Sequence, residues 1–65
     1  MNFVEVIKVA MGQESKPFML NMDHVTTYQN QDDGRCWVVA GQIGMYIKGH
    51  IVKRASGGYA IKSLF

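Results

Sequence analysis

Lys48, Lys53, Arg54 and Lys62 stand among Tyr46, His50 and Tyr59 in the last third of this 65-residue chain. Ammonium and guanidinium groups neutralise phosphates, and aromatic rings stack on unpaired bases. The combination therefore suits single-stranded nucleic acid. The same groups also suit an acidic protein surface, which attracts the cations without needing the rings to stack.

Other residue types with chemical potential are arranged less favourably. Asp23, His24, Cys36 and His50 form the most plausible metal-ligand set, but no Cys-x-x-Cys or His-x3-His spacing joins them. Cys36 with a histidine has the parts of a thiol nucleophile and its base, yet no third group is placed to orient that base. A small, half-buried apolar role fits Cys36 better. Asp32 and Asp33 are adjacent carboxylates in a turn, with no pocket-forming context. Gly57-Gly58 lacks the Gly-x4-Gly-Lys-Ser/Thr pattern of a phosphate loop. The expectation is a non-enzymatic protein with no metal and no cofactor.

Charge along the chain supports an outward-facing basic surface. Residues 1–33 hold five carboxylates (Glu5, Glu14, Asp23, Asp32, Asp33) against Lys8 and Lys16, a net −3. Residues 34–65 hold Arg35, Lys48, Lys53, Arg54 and Lys62 with no acidic side chain, a net +5. The formal total of +2 conceals this split. Folding does not require it, so it points to an acidic partner or to the acidic half of a second copy.

Size limits the architecture. A chain this short forms one small domain, 1–65, and buries roughly 60% of its unfolded surface. Cys36 is the single cysteine, so no internal disulfide reinforces the core. A lone thiol fits a reducing, cytoplasmic setting. Glu5 and Lys8 interrupt the first apolar run, which does not read as a signal peptide. No apolar stretch approaches the ~18–20 residues that span a bilayer. With 48% hydrophobic residues and no disulfide, the composition favours a homo-oligomer.

The elements that must position these residues read as short β-strands. Residues 3–10 are rich in β-branched side chains and form a first strand, followed by a loop over 12–16 and by Pro17. Residues 18–20 start a second extended piece, and Asn21-Met22-Asp23 interrupts it with a turn or bulge. Residues 24–31 are again β-prone. Asp33-Gly34 predicts a two-residue type I′ hairpin that sets Asp32 opposite Arg35, Asn30 opposite Trp37 and Tyr28 opposite Val39. Tyr28 and Trp37 then share one side, with Val25, Cys36 and Val38 on the other. Trp37 reads as the anchor of the core, with extension of a stacking surface as its alternative role. Met19 and Met22 fill gaps in the core or line a protein-binding surface.

Gly41 and Gly44 bracket a short connection. Residues 45–54 read as a strand, 55–58 as a turn and 59–65 as the last strand. Ile43, Tyr46, Ile47 and Ile51 also follow helical spacing, but Gly44 and Gly49 would each cost a helix about 1 kcal/mol. In the strand reading, alternation puts Tyr46, Lys48, His50, Val52 and Arg54 on one face, joined by Tyr59, Ile61 and Phe65. Met45, Ile47, Ile51 and Leu64 take the other face, with Lys53 and Lys62 near its turn end. A Gly57-Gly58 turn sets Lys53 opposite Lys62, and a Ser56-Gly57 turn pairs Arg54 with Tyr59. The fold class is all-β, a small antiparallel sheet or barrel of four to five strands.

Two short resemblances follow. Leu20-Asn21-x-Asp23-x-Val25 before a hairpin resembles a small family of flagellar regulators. Tyr46-x-Lys48-x-His50 resembles the Tyr-Lys-His signature of bacterial Sm-like RNA chaperones, with Ile47 and Gly49 intervening. No function is carried over from either. The residues themselves point first to a non-catalytic nucleic-acid-binding module. They point second to a module or small inhibitor for an acidic protein surface, and third to a self-assembling subunit.

Overall fold

The computed structural model describes residues 2–63. They form antiparallel strands: β1 (Phe3–Val6), β2 (Lys8–Ala10), β3 (Gln13–Glu14), β4 (Phe18–Asn21), β5 (Val25–Asn30), β6 (Arg35–Ala40), β7 (Ile43–Lys48), β8 (His50–Lys53) and β9 (Tyr59–Lys62). The protein is all-β, as expected. Its main sheet has five strands in the order β3-β2-β7-β6-β5, and the pairs β1-β4 and β8-β9 complete it. The β1–β2 stretch and the 45–54 stretch each divide between two sheets, where the sequence reads as one strand apiece. Ile43–Lys48 and His50–Lys53 are strands on either side of Gly49, which settles strand against helix.

Each break has a local cause. Between β1 and β2, the Ile7 carbonyl accepts from Lys48 N–H at 2.9 Å, so the chain is handed from the two-stranded sheet to the main one. Between β7 and β8, Gly49 has φ +90°, and a Cβ there would lie 2.8 Å from Ile61 Cγ2. Glycine is required on both counts. The loop expected over 12–16 contains the return strand β3, reached through a two-residue turn. Both of its residues, Met11 and Gly12, have positive φ. Asn21 ends β4, and its side chain accepts from Asp23 N–H at 3.0 Å, turning Met22–His24 into one 3-10 turn.

The β5–β6 hairpin differs from its expected register. Three residues, Asp32-Asp33-Gly34, form the loop, closed by Gln31 N–H on the Arg35 carbonyl at 2.8 Å. Gly34 takes φ +88°, the left-handed third position of such loops. Asn30 therefore pairs with Cys36, Gln29 with Trp37 and Tyr28 with Val38. A slip of one residue exchanges the faces. Tyr28 joins Val38 and Cys36 on the core side, and Trp37 turns outward. A bulge at Thr26, with its hydroxyl donating to the Val39 carbonyl, restores Val25 to the core side. In the β8–β9 hairpin Lys53 pairs with Tyr59 and His50 with Lys62, across a loop from Arg54 to Gly58. Neither expected register occurs there. The repulsive Lys53–Lys62 pairing is avoided.

The core consists of Val4 and Val6 from β1, Leu20 from β4, Met22 from the 3-10 turn, Cys36 and Val38 from β6, Ile47 from β7 and Ile51 from β8. Phe18, Val25, Tyr28, Met45, Tyr59 and Ile61 pack around its rim. Met22 is thus a core residue, and Met19 is exposed.

One side chain joins the C-terminal hairpin to the main sheet. The Asn30 amide donates to the Ile51 carbonyl at 3.1 Å and accepts from Ile51 N–H at 2.9 Å. Gly49 N–H reaches the Gly34 carbonyl at 2.7 Å alongside it. β9 in turn lies against β1, so the strands surround the core. Asn30→Ala would leave both backbone groups of a buried residue unpaired. We expect a loss of about 2–4 kcal/mol in urea denaturation, because each such group costs roughly 1–3 kcal/mol. Met11→Asn should instead stabilise by about 0.5–1 kcal/mol in the same assay, since asparagine tolerates this backbone better.

Candidate nucleic-acid interface

β6 and β7 align Arg35 with Lys48, Trp37 with Tyr46 and Val39 with Gly44 on the outer face of the main sheet. Gly44 has no side chain, and Trp37 lies across it. A Cβ at position 44 would fall within 2.5 Å of two indole carbons. An aromatic laid over a sheet glycine covers exposed backbone, which gives Trp37 a structural reason to sit here. The Tyr46 ring follows at 4.8 Å from the indole, tilted by 56°. The Arg35 guanidinium carbon stands 4.3 Å from the centre of the Tyr46 ring. This is a cation–π contact, which leaves the cation's charge uncancelled. The result is a row of guanidinium, phenol and indole across two neighbouring strands.

Carboxylates from the acidic half engage both cations of this face. Arg35 donates to Asp33 through Nε at 2.7 Å and Nη2 at 2.6 Å. That bond lowers the Asp33 pKa and raises that of Arg35, each from its ordinary value. Lys48 Nζ meets Glu14 Oε2 at 3.2 Å. All four side chains are about half exposed, so water competes for each pair and neither adds much to stability. The expected Asp32–Arg35 pair is corrected to Asp33–Arg35, because the loop has three residues. Along Lys48–Glu14 the two charged halves of the chain meet within one molecule.

The remaining expected site residues are spread over the second hairpin and do not form one face with Tyr46 and Lys48. The break at Gly49 sends β8 into another sheet. His50 is half-buried, and its Nε2 bonds the Gln31 carbonyl at 2.5 Å, so the ring fastens β8 to the end of β5. Tyr59 turns to the core rim, where its ring meets Tyr28 edge-on at 6.3 Å. It does not join Tyr46. Lys53, Arg54 and Lys62 are exposed, and among the described residues no ion pair engages them. Leu64 and Phe65, expected on the last strand, lie outside the described residues.

Arg35 is the member of this face that the sequence reading did not place there, and Trp37 was given a stacking role only as the alternative to the core. The signal was present: Arg35 and Trp37 alternate with Cys36 and Val38, so a charged residue and the indole share one parity. Among the described residues, no three His, Cys, Asp or Glu side chains gather into a metal-binding group. Cys36 is fully buried beneath the sheet. No family model, curated protein or solved structure matches this chain.

Burial pushes the Cys36 thiol pKa above its ordinary value by desolvating the thiolate. The native state therefore resists ionisation that the unfolded state permits. The effect on stability is nil below the ordinary thiol range and becomes a loss as pH rises above it. The urea midpoint should fall further with rising alkaline pH in the wild type than in Cys36→Ala.

Proposed function

We propose that this protein is a non-catalytic module that binds single-stranded nucleic acid through the outer face of β6 and β7. The observation that carries this reading is the row Arg35–Tyr46–Trp37, with Lys48 beside Arg35. A domain with a marginal core keeps its single tryptophan outside that core. An indole backed by a glycine-bearing strand offers its outer surface to a base, and the neighbouring cations suit the phosphates on either side.

Asp33 and Glu14 hold the cations in the absence of nucleic acid. Phosphate oxygens accept the same charge-assisted hydrogen bonds as carboxylates, so binding exchanges one acceptor for another. The exchange is inexpensive because both pairs are solvent-exposed. Lys53, Arg54 and Lys62, held in no such pair among the described residues, extend the basic surface along the C-terminal hairpin.

Fluorescence titration with single-stranded RNA and DNA, at low and at moderate salt, tests this reading. Trp37 is the only indole, so base stacking should quench its emission directly. Lys48→Ala should weaken binding and flatten the logarithmic salt dependence by about 0.7, the slope for one phosphate contact on a single strand. Trp37→Phe, read by the anisotropy of a labelled oligonucleotide because no indole remains, should weaken binding with little change in that slope, and the paired change Glu14→Gln, Asp33→Asn should tighten binding. If no oligonucleotide binds even at low salt, the reading fails and an acidic protein surface becomes the better partner.

A further inference from the structure

Asp33-Gly34 is the only Asp-Gly pair in the chain, and such a pair has covalent chemistry of its own. The Gly34 nitrogen can attack the side-chain carboxyl of Asp33 and close a five-membered succinimide ring. The new C–N bond replaces a C–O bond, and the displaced hydroxyl leaves as water with the amide proton. A second water then opens the ring. Opening at the side-chain carbonyl restores aspartate. Opening at the main-chain carbonyl leaves isoaspartate, whose backbone runs through the side chain and is one carbon longer. Glycine favours the closure because it has no Cβ to shield its nitrogen.

The fold holds the carboxyl away from this reaction. Its Oδ1 accepts from Arg35 N–H at 3.1 Å, and its Oδ2 accepts from Arg35 Nε at 2.7 Å with Nη2 at 2.6 Å. Both oxygens are thus bonded to residue 35. The side-chain bond to Arg35 also keeps the Asp33 pKa below its ordinary value. A carboxylate has no hydroxyl to lose, so the reactive acid form is scarce. Among the described residues no other cation engages Asp33. Lys48, opposite Arg35, pairs with Glu14, and the His50 ring bonds the Gln31 carbonyl. The attacking nitrogen is less firmly held: Gly34 N–H reaches the Gln31 carbonyl only at 3.4 Å, beyond the usual N–H···O range.

We propose that Asp33 is a site of spontaneous isoaspartate formation, and that Arg35 restrains this modification in the folded protein by binding both carboxyl oxygens. The restraint is local and reversible. Both side chains of the pair are about half exposed, so water competes for the contact and the carboxyl is released from time to time. The modification would reach beyond the loop. The Gly34 carbonyl accepts from Gly49 N–H at 2.7 Å, at the corner where β7 passes into β8. A loop longer by one carbon shifts that carbonyl, and it removes the cap that Asp33 places on Arg35 N–H. The inference does not depend on the nucleic-acid reading, because Arg35 restrains Asp33 whether or not a phosphate ever displaces it.

Prolonged incubation of the purified protein at mildly acidic pH, without nucleic acid, tests the proposal. Isoaspartate is counted with an isoaspartate-specific methyltransferase and located by peptide mapping. The wild type unfolded in urea gives the unrestrained rate. The folded wild type should convert several-fold more slowly, with its isoaspartate at position 33. Arg35→Ala and Arg35→Gln should each convert several-fold faster than the folded wild type, with unchanged far-ultraviolet circular dichroism spectra. Arg35→Gln keeps a side-chain stem and a donor while removing the charge, so it separates the ion pair from a general loosening of the loop. It also serves where Arg35→Ala does not fold. A folded wild type that converts as fast as the unfolded chain, folded variants that convert no faster than the wild type, or isoaspartate at another position overturns the proposal.

Discussion

The primary amide of Asn30 holds the arrangement together. It stands in for a strand, giving Ile51 one donor and one acceptor where the backbone of β5 and that of β8 do not pair. Without it, the residue that carries the hairpin's side of the core would bury two unpaired backbone groups. Ile51 is 2% exposed, so water cannot replace the amide easily. Gly49 makes this contact attainable, because its left-handed backbone redirects the chain from β7 to β8 beside the Asp32–Gly34 loop. The His50 ring on the Gln31 carbonyl reinforces the same corner.

That corner explains the distribution of aromatics. The core is filled by aliphatic side chains, methionine and cysteine, while Tyr28 and Tyr59 seal its rim. Trp37 has the opposite parity to Cys36 and Val38 and must lie outside. Once outside, it needs a flat support, which Gly44 supplies. Tyr46 and Arg35 then cover its neighbourhood, and Asp33 holds Arg35 above the phenol. The composition of the outer face follows from packing.

Much of this was legible in the chain. Alternation marked the strands and set Cys36 with Val38, and Ile47 with Ile51, on shared faces, and Gly44 with Gly49 spoke against a helix over 42–52. The lengths of the loops were harder to read. Asp33-Gly34 resembles a two-residue turn, but Asp33 caps the Arg35 N–H at 3.1 Å and Gly34 closes a three-residue loop. One residue of difference carried Tyr28 to the side of Cys36 and Val38 and separated it from Trp37. The break at Gly49 was hidden for a related reason. A glycine in an alternating run signals either a loose strand or a corner, and only the opposing Ile61 and Lys62 distinguish the two. Met11 concealed the β2–β3 turn because its side chain is not one that ordinarily adopts positive φ.

The two kinds of joint in this ring also divide its cooperativity. Continuous ladders tie β5, β6, β7 and β2 to one another, so their amides should exchange only in near-global opening. The β8–β9 hairpin meets β5 along a seam stitched by a side chain and a few isolated bonds, and such a seam opens at lower free energy than a ladder. The amides of the hairpin are therefore expected to exchange ahead of those of the main sheet. Its cations, Lys53, Arg54 and Lys62, thus belong to the part held by that seam, while the aromatic row stands on the continuous ladder of β6 and β7.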